Sequence, residues 1–123
     1  MSKITQSEWE VMEVLWEADR PLFLGEIIEA LSAEGKNRSS KTVGTFLSRL
    51  VTKGAAKTTK RGRNNLYEAA LARTEGVETE TRSFLERIFR GATAPAVLHL
   101  LEDSDLTADE ISELQSYLDQ RKS

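Results

Sequence analysis

Ser39-Ser40-Lys41-Thr42-Val43-Gly44-Thr45-Phe46-Leu47-Ser48-Arg49-Leu50-Val51-Thr52-Lys53-Gly54 is the stretch on which the fold turns. Its apolar residues, Val43, Phe46, Leu47, Leu50 and Val51, recur at spacings that gather them on one side of an α-helix. The other side then carries Lys41, Thr45, Ser48, Arg49 and Thr52, with no acid and no large apolar group. Ser39-Ser40 offers an N-cap, because a serine hydroxyl accepts from an amide of the first turn, and Gly54 supplies the stop. The spacing predicts an amphipathic helix from Ser40 to about Lys53 whose outer face is short, hydroxylated and cationic.

The charge around this helix is segregated. From Lys36 to Arg63 there are nine Lys or Arg and no Asp or Glu, although the 123-residue chain holds 17 basic and 20 acidic residues and has a net charge of −3. A merely solvated helix face usually mixes both signs, so an acid-free stretch beside an acidic remainder reads as an anion-binding face.

Two more helices precede it. Thr5-Gln6-Ser7-Glu8 is a capping box, and Trp9, Val11, Met12, Leu15 and Trp16 follow on one arc, ending before Asp19-Arg20-Pro21. That stripe is a packing face rather than an aromatic ligand box. A second helix over about 24–34 aligns Leu24, Ile27, Ile28 and Leu31 and stops at Gly35. After Gly54 the residues at 55–60 and 65–70 suit strands, and Arg61-Gly62-Arg63-Asn64-Asn65 between them is a basic, turn-prone tip. Three helices and a hairpin in residues 1–72 are the order of a winged helix-turn-helix head.

From residue 73 onward the chain is helical again. Val77, Phe84, Leu85, Ile88 and Phe89 share a face of a helix ending near Gly91. Thr93 and Pro95 open a short helix bearing Val97, Leu98 and Leu101, and Thr107-Ala108-Asp109-Glu110 is a second capping box ahead of Ile111, Leu114, Tyr117 and Leu118. So few residues cannot bury these faces alone. They either fold back on the head or meet the same helices of a second chain, and a DNA reader favours the second. Phe84, Leu85, Ile88, Phe89, Leu98, Leu101, Ile111, Leu114 and Leu118 are therefore the expected dimerisation residues, in a domain over 73–123. The fold class is mainly α with a small β-hairpin: a winged head plus a C-terminal helical dimerisation arm.

Composition narrows the function. No apolar run is long enough for a membrane span and the N-terminus lacks a signal-peptide core, so a soluble cytoplasmic protein with no direct membrane insertion is expected. The chain has no cysteine and one histidine. That excludes disulfides and thiolate metal sites, and neither a metal nor any other cofactor is expected. There is no nucleophile–base set in a plausible register and no glycine-rich phosphate loop, so the chain reads as a binding protein, not an enzyme.

Duplex DNA is the polyanion this surface suits. Hydroxyls and short chains permit close approach to a groove, while Lys41 and Arg49 can reach guanine O6 and N7. Lys41 and Thr42 occupy the first turn, the part of a recognition helix that enters the major groove. We read Lys41, Thr45, Ser48 and Arg49 as groove-facing. Ser40, Thr42, Lys53, Lys60, Arg61 and Arg63 complete the DNA-binding set; of these Ser40, Lys60, Arg61 and Arg63, together with Lys57, suit phosphates, which position a protein without reading sequence. A protein–protein winged-helix adaptor, using the hairpin on an acidic partner, is the alternative from the residues alone.

Glu8-Trp9-Glu10-Val11-Met12 with Leu15-Trp16 resembles the E-W-x-V-M-x-x-x-W opening of the BlaI/MecI/CopY repressor family. Lys41-Thr42-Val43-x-Thr45-x-Leu47-x-Arg49-Leu50-x-x-Lys53-Gly54 is similar to that family's K-T-[VI]-x-T-x-[LI]-x-R-L-x-x-K-[GK] helix. Tyr67 matches the aromatic of the wing's returning strand, and Phe84 to Gly91 resembles the segment opening the dimerisation region. The resemblance implies a homodimer that binds a palindromic operator and represses genes of β-lactam resistance or copper homeostasis. It also implies, for β-lactam-responsive members, a membrane sensor-transducer protease system that leads to cleavage of the arm, here between His99 and Leu100. Three features depart from the family: His99-Leu100 replaces an Asn-Phe pair, the cysteine-rich copper motif is absent, and Gly44 replaces a longer, often basic side chain, which implies a changed or reduced contact at that operator position.

Overall fold

The computed structural model describes residues 3–123. Helix α1 spans Gln6–Ala18, and its capping box is formed: the Glu8 amide donates to Thr5 Oγ1 at 3.2 Å and the Thr5 amide to Glu8 Oε1 at 3.0 Å. Strand β1, Leu22–Phe23, leads directly into α2, Leu24–Ala33. Helix α3 covers Ser40–Thr52, with the Ser39 hydroxyl accepting from the Thr42 amide. Both α2 and α3 end in a Schellman motif. Lys36 N–H reaches Leu31 O and Gly35 N–H reaches Ser32 O; Ala55 N–H reaches Leu50 O and Gly54 N–H reaches Val51 O. Gly54 adopts φ +80°, the left-handed conformation this motif requires.

Strands β2, Ala56–Arg61, and β3, Asn64–Ala69, form the expected hairpin, but its tip is tighter than the sequence suggests. Arg61 pairs with Asn64, leaving only Gly62-Arg63 as the turn. Gly62 has φ +64° at the first central position, which suits a two-residue turn whose twist matches the strands, so the flanking residues join the ladder. Strand β1 adds a third strand that the sequence pattern does not show. It pairs Leu22 with Tyr67 and Phe23 with Leu66 on the free edge of β3, giving the sheet order β1-β3-β2. Two residues are too few to show an alternating pattern.

The core lies between these helices and the sheet. Val11, Met12 and Leu15 of α1, Ile27 and Leu31 of α2, and Val43, Leu47 and Leu50 of α3 are all at most 2% exposed. Trp9 and Trp16 pack edge to face at 5.1 Å beside that core, and Trp16 Nε1 donates to the Leu71 carbonyl at 2.7 Å. Helix α4, Arg73–Phe89, begins against these rings: a Cβ at Gly76 would stand 3.1 Å from Trp16.

Two compact units divide within α4, one ending at Glu80 and the other beginning at Thr81. The second contains the end of α4, α5 over Thr93–Glu102 and α6 over Ala108–Lys122, where the Thr107/Glu110 capping box is formed. Within it Phe84 packs on Phe89 at 5.8 Å and Phe89 on His99 at 6.2 Å. Most of its other large apolar side chains stay in solvent, from Leu101 at 39% to Leu98 and Leu100 at 59% exposed. Among the described residues no helix is long and apolar enough to cross a membrane.

Candidate nucleic-acid interface

Once α3 buries Val43, Leu47 and Leu50, its helical period leaves Ser40, Lys41, Thr42, Thr45, Ser48 and Arg49 exposed. The hydroxyls are not equivalent. Thr45 Oγ1 donates to the Lys41 carbonyl at 3.0 Å and Thr52 Oγ1 to the Ser48 carbonyl at 3.1 Å. With its one hydrogen so committed, the Thr45 hydroxyl can still accept, and its methyl remains free for apolar contact. Ser39 donates its hydroxyl hydrogen to Thr42 Oγ1 at 2.9 Å, which leaves the Thr42 hydroxyl hydrogen available to an outside acceptor. The Ser40 and Lys41 amides stand at the open end of the helix, where backbone donors and the helix dipole attract anions.

Not all nine cations of the acid-free stretch are available. Four meet acids supplied from outside it. Lys36 lies 3.5 Å from Glu34, Arg38 2.8 Å from Glu10, and Lys57 3.5 Å from its cross-strand neighbour Glu68, while Lys53 is ion-paired with Glu8. Arg38 also sits over the Phe46 ring at 5.8 Å, so its guanidinium is held beside the middle of α3. The remaining five are Lys41 and Arg49 on α3 and Lys60, Arg61 and Arg63 at the hairpin tip. Among the described residues none of these has a carboxylate at ion-pair distance. Within this stretch the unpaired positive charge is thus concentrated on one helix and one turn, linked through Lys53-Gly54-Ala55.

Lys53 differs from the other residues named from sequence. Its ammonium donates to the Lys3 carbonyl at 2.7 Å as well as to Glu8, and only 18% of its side chain is exposed. Glu8 itself is 1% exposed. Burial alone would raise its pKa, but the hydrogen bond from Lys53, that from the Thr5 amide and the Lys53 charge outweigh it and hold the carboxyl below its ordinary value. This pair ties the start of α1 to the end of α3. Sequence reading missed it, although Glu8, Met12 and Leu15 fall on one helical stripe, which places the carboxylate on the core side.

The residues read as a dimerisation set lie on the three helices of the C-terminal unit. Phe84, Ile88, Leu98, Leu101, Ile111, Leu114 and Leu118 are exposed, while Leu85 and Phe89 are half-buried. Leu101, Ile111, Leu114 and Leu118 border one open groove between α5 and α6. His99 and Leu100 sit inside α5 with their side chains exposed.

Comparison with known proteins finds relatives that match almost the entire chain. The family described as Penicillinase repressor matches residues 4–120. The penicillinase repressor of Bacillus licheniformis is 35% identical over 120 residues, covering 98% of this chain and 92% of that one. The methicillin resistance regulatory protein MecI of Staphylococcus aureus is 29% identical over 119 residues, covering 97% and 95%. The solution structure of monomeric Bacillus licheniformis BlaI in complex with the blaP half-operator superimposes with a TM-score of 0.50 and 34% identity, over 60% of this chain and 88% of that one. The chain belongs to the penicillinase repressor family.

Proposed function

We propose that this protein is a transcriptional repressor that occupies operator DNA as a homodimer, with α3 in the major groove and the β2–β3 hairpin on the flanking backbone. The observation that carries the reading is that, of the nine cations in the acid-free stretch, the five without an ion pair among the described residues all lie on α3 and the hairpin tip, beside a helix face of short hydroxylated side chains. Its relatives' names, and the half-operator complex of BlaI, support operator DNA as the ligand and β-lactam resistance genes as the targets.

The residues divide by role. Lys41 and Arg49 are long enough to reach guanine O6 and N7, and Thr45 can accept from an adenine or cytosine amino group or meet a thymine methyl. Ser48 lies in the groove with them. Ser40, Thr42, Lys60, Arg61 and Arg63 hold phosphates and set the register. Lys53 acts through Glu8, fixing the end of α3 rather than touching DNA. The exposed apolar side chains of the C-terminal unit pair two chains, and two-fold symmetry then matches a palindromic operator. Occupancy blocks polymerase sterically. If a sensor-transducer protease system relieves repression at His99-Leu100, α5 must first unwind, because that bond lies within the helix.

A gel-shift titration with the promoter upstream of the protein's own gene tests this reading. A sequence-specific complex is expected, and Arg49→Ala should weaken it by about 1–3 kcal/mol. Equal binding to all duplexes would overturn the repressor assignment and favour an acidic protein partner.

A further inference from the structure

We propose that Gly44 is a specificity-determining position, left bare so that the backbone of α3 itself lies against a thymine methyl in the major groove. The inference rests on the placement of α3 in that groove. Gly44 stands within the 13-residue helix Ser40–Thr52, where glycine is the least favourable residue after proline. Two internal reasons ordinarily keep a glycine in such a place, and neither applies. Its φ is not in the left-handed region, unlike those of Gly35, Gly54, Gly62 and Gly91. A Cβ added at Gly44 would meet nothing within 4 Å, whereas one at Gly76 would press on Trp16 at 3.1 Å.

The reason for glycine therefore lies outside the chain. Gly44 follows Lys41 by three residues and precedes Ser48 by four, so both are its neighbours on the helix surface. Both are exposed, and so is the adjacent Thr45. Gly44 itself is half-buried, on the border between this polar face and the apolar side carrying Leu47 and Val51, so the missing side chain leaves a shallow apolar notch of Cα hydrogens at the edge of the polar surface. Among base-pair edges the thymine methyl is the apolar group of matching size, and a Cβ would hold the helix off it.

Wild-type protein is used to select a high-affinity duplex from a random pool, and Gly44→Ala and Arg49→Ala are then titrated against that duplex and against random-sequence DNA. Gly44→Ala should raise the thermal midpoint by about 3 °C, because alanine favours the helix. Its affinity for the selected duplex should fall about tenfold, with random-sequence binding unchanged. Replacing the half-site thymines by uracil one at a time should weaken wild type at one position and leave Gly44→Ala indifferent there. Undiminished operator binding by Gly44→Ala, or a lowered midpoint, would overturn the proposal. If wild type selects a duplex and Arg49→Ala weakens it while Gly44→Ala does not, only the Gly44 proposal fails. If wild type selects nothing, the operator reading fails with it.

Discussion

In α1, α2 and α3 the apolar stripes close on one another until Met12, Ile27, Val43, Leu47 and Leu50 have no measurable exposure, whereas α5 and α6 leave Leu98, Leu100, Ile111, Leu114 and Leu118 between 41% and 59% open. The contrast is one of completeness. The first unit encloses most of its own hydrophobic surface, with only Phe23 and Val77 among its described large apolar residues as much as 38% exposed, so its remaining surface is free to be charged and specific. The second has equally regular helices but too few of them to enclose a core, and such a surface is stable in water only when covered. On the proposed function, the first unit is a finished binding head and the second is one side of an interface between two chains.

Core truncation gives the largest expected effect on this contrast. Leu31→Ala, in the closed core, should destabilise the head by about 2–5 kcal/mol in a denaturant titration. Leu118→Ala, measured in a monomeric Phe84→Asp/Ile88→Asp background, should change stability by no more than about 0.5 kcal/mol. Similar losses at both sites would erase the difference between the units.

A smaller effect is expected where the head holds its buried charge. Glu8→Gln removes the partner of the Lys53 ammonium and should cost about 1–3 kcal/mol near neutral pH. Because the folded-state pKa of Glu8 lies below its ordinary value of 4.5, its contribution is fully present above that value and is lost as pH falls through the folded one. Wild type and Glu8→Gln should therefore converge in stability as the solution is acidified below pH 4.5. A gap independent of pH would show that the carboxylate charge is not what Lys53 needs.

The hairpin tip should give the smallest change. With the phosphates neutralised by Lys60, Arg61 and Arg63 on each protomer, the logarithmic salt slope of a dimer should be about −5. Arg61→Ala should reduce its magnitude by about 1 per phosphate contact removed, without altering sequence preference. An unchanged slope would remove Arg61 from the interface.

Much of this is legible in the sequence. The i, i+3, i+4 spacing of Val43, Phe46, Leu47, Leu50 and Val51 fixes which side of α3 faces inward, and the Thr5/Glu8 and Thr107/Glu110 boxes mark where helices begin, because these are local effects of the backbone. What escaped is non-local. Strand β1 exists only because β3 has a free edge for Leu22 and Phe23. The acid-free run from Lys36 to Arg63 looks uniformly cationic, yet Glu8, Glu10, Glu34 and Glu68 approach four of its nine cations. Only the fold separates Lys53, committed to Glu8, from Arg49, which has no carboxylate partner among the described residues.

The division of labour between the units is tested most directly by comparing a selected palindromic duplex with a single half-site in one fluorescence anisotropy titration. Wild type should bind the palindrome at least about 100-fold more tightly than the half-site, because two heads joined through the C-terminal units bind as one. Phe84→Asp/Ile88→Asp should keep a folded head and bind both duplexes alike. Equal affinity of wild type for palindrome and half-site would contradict the account.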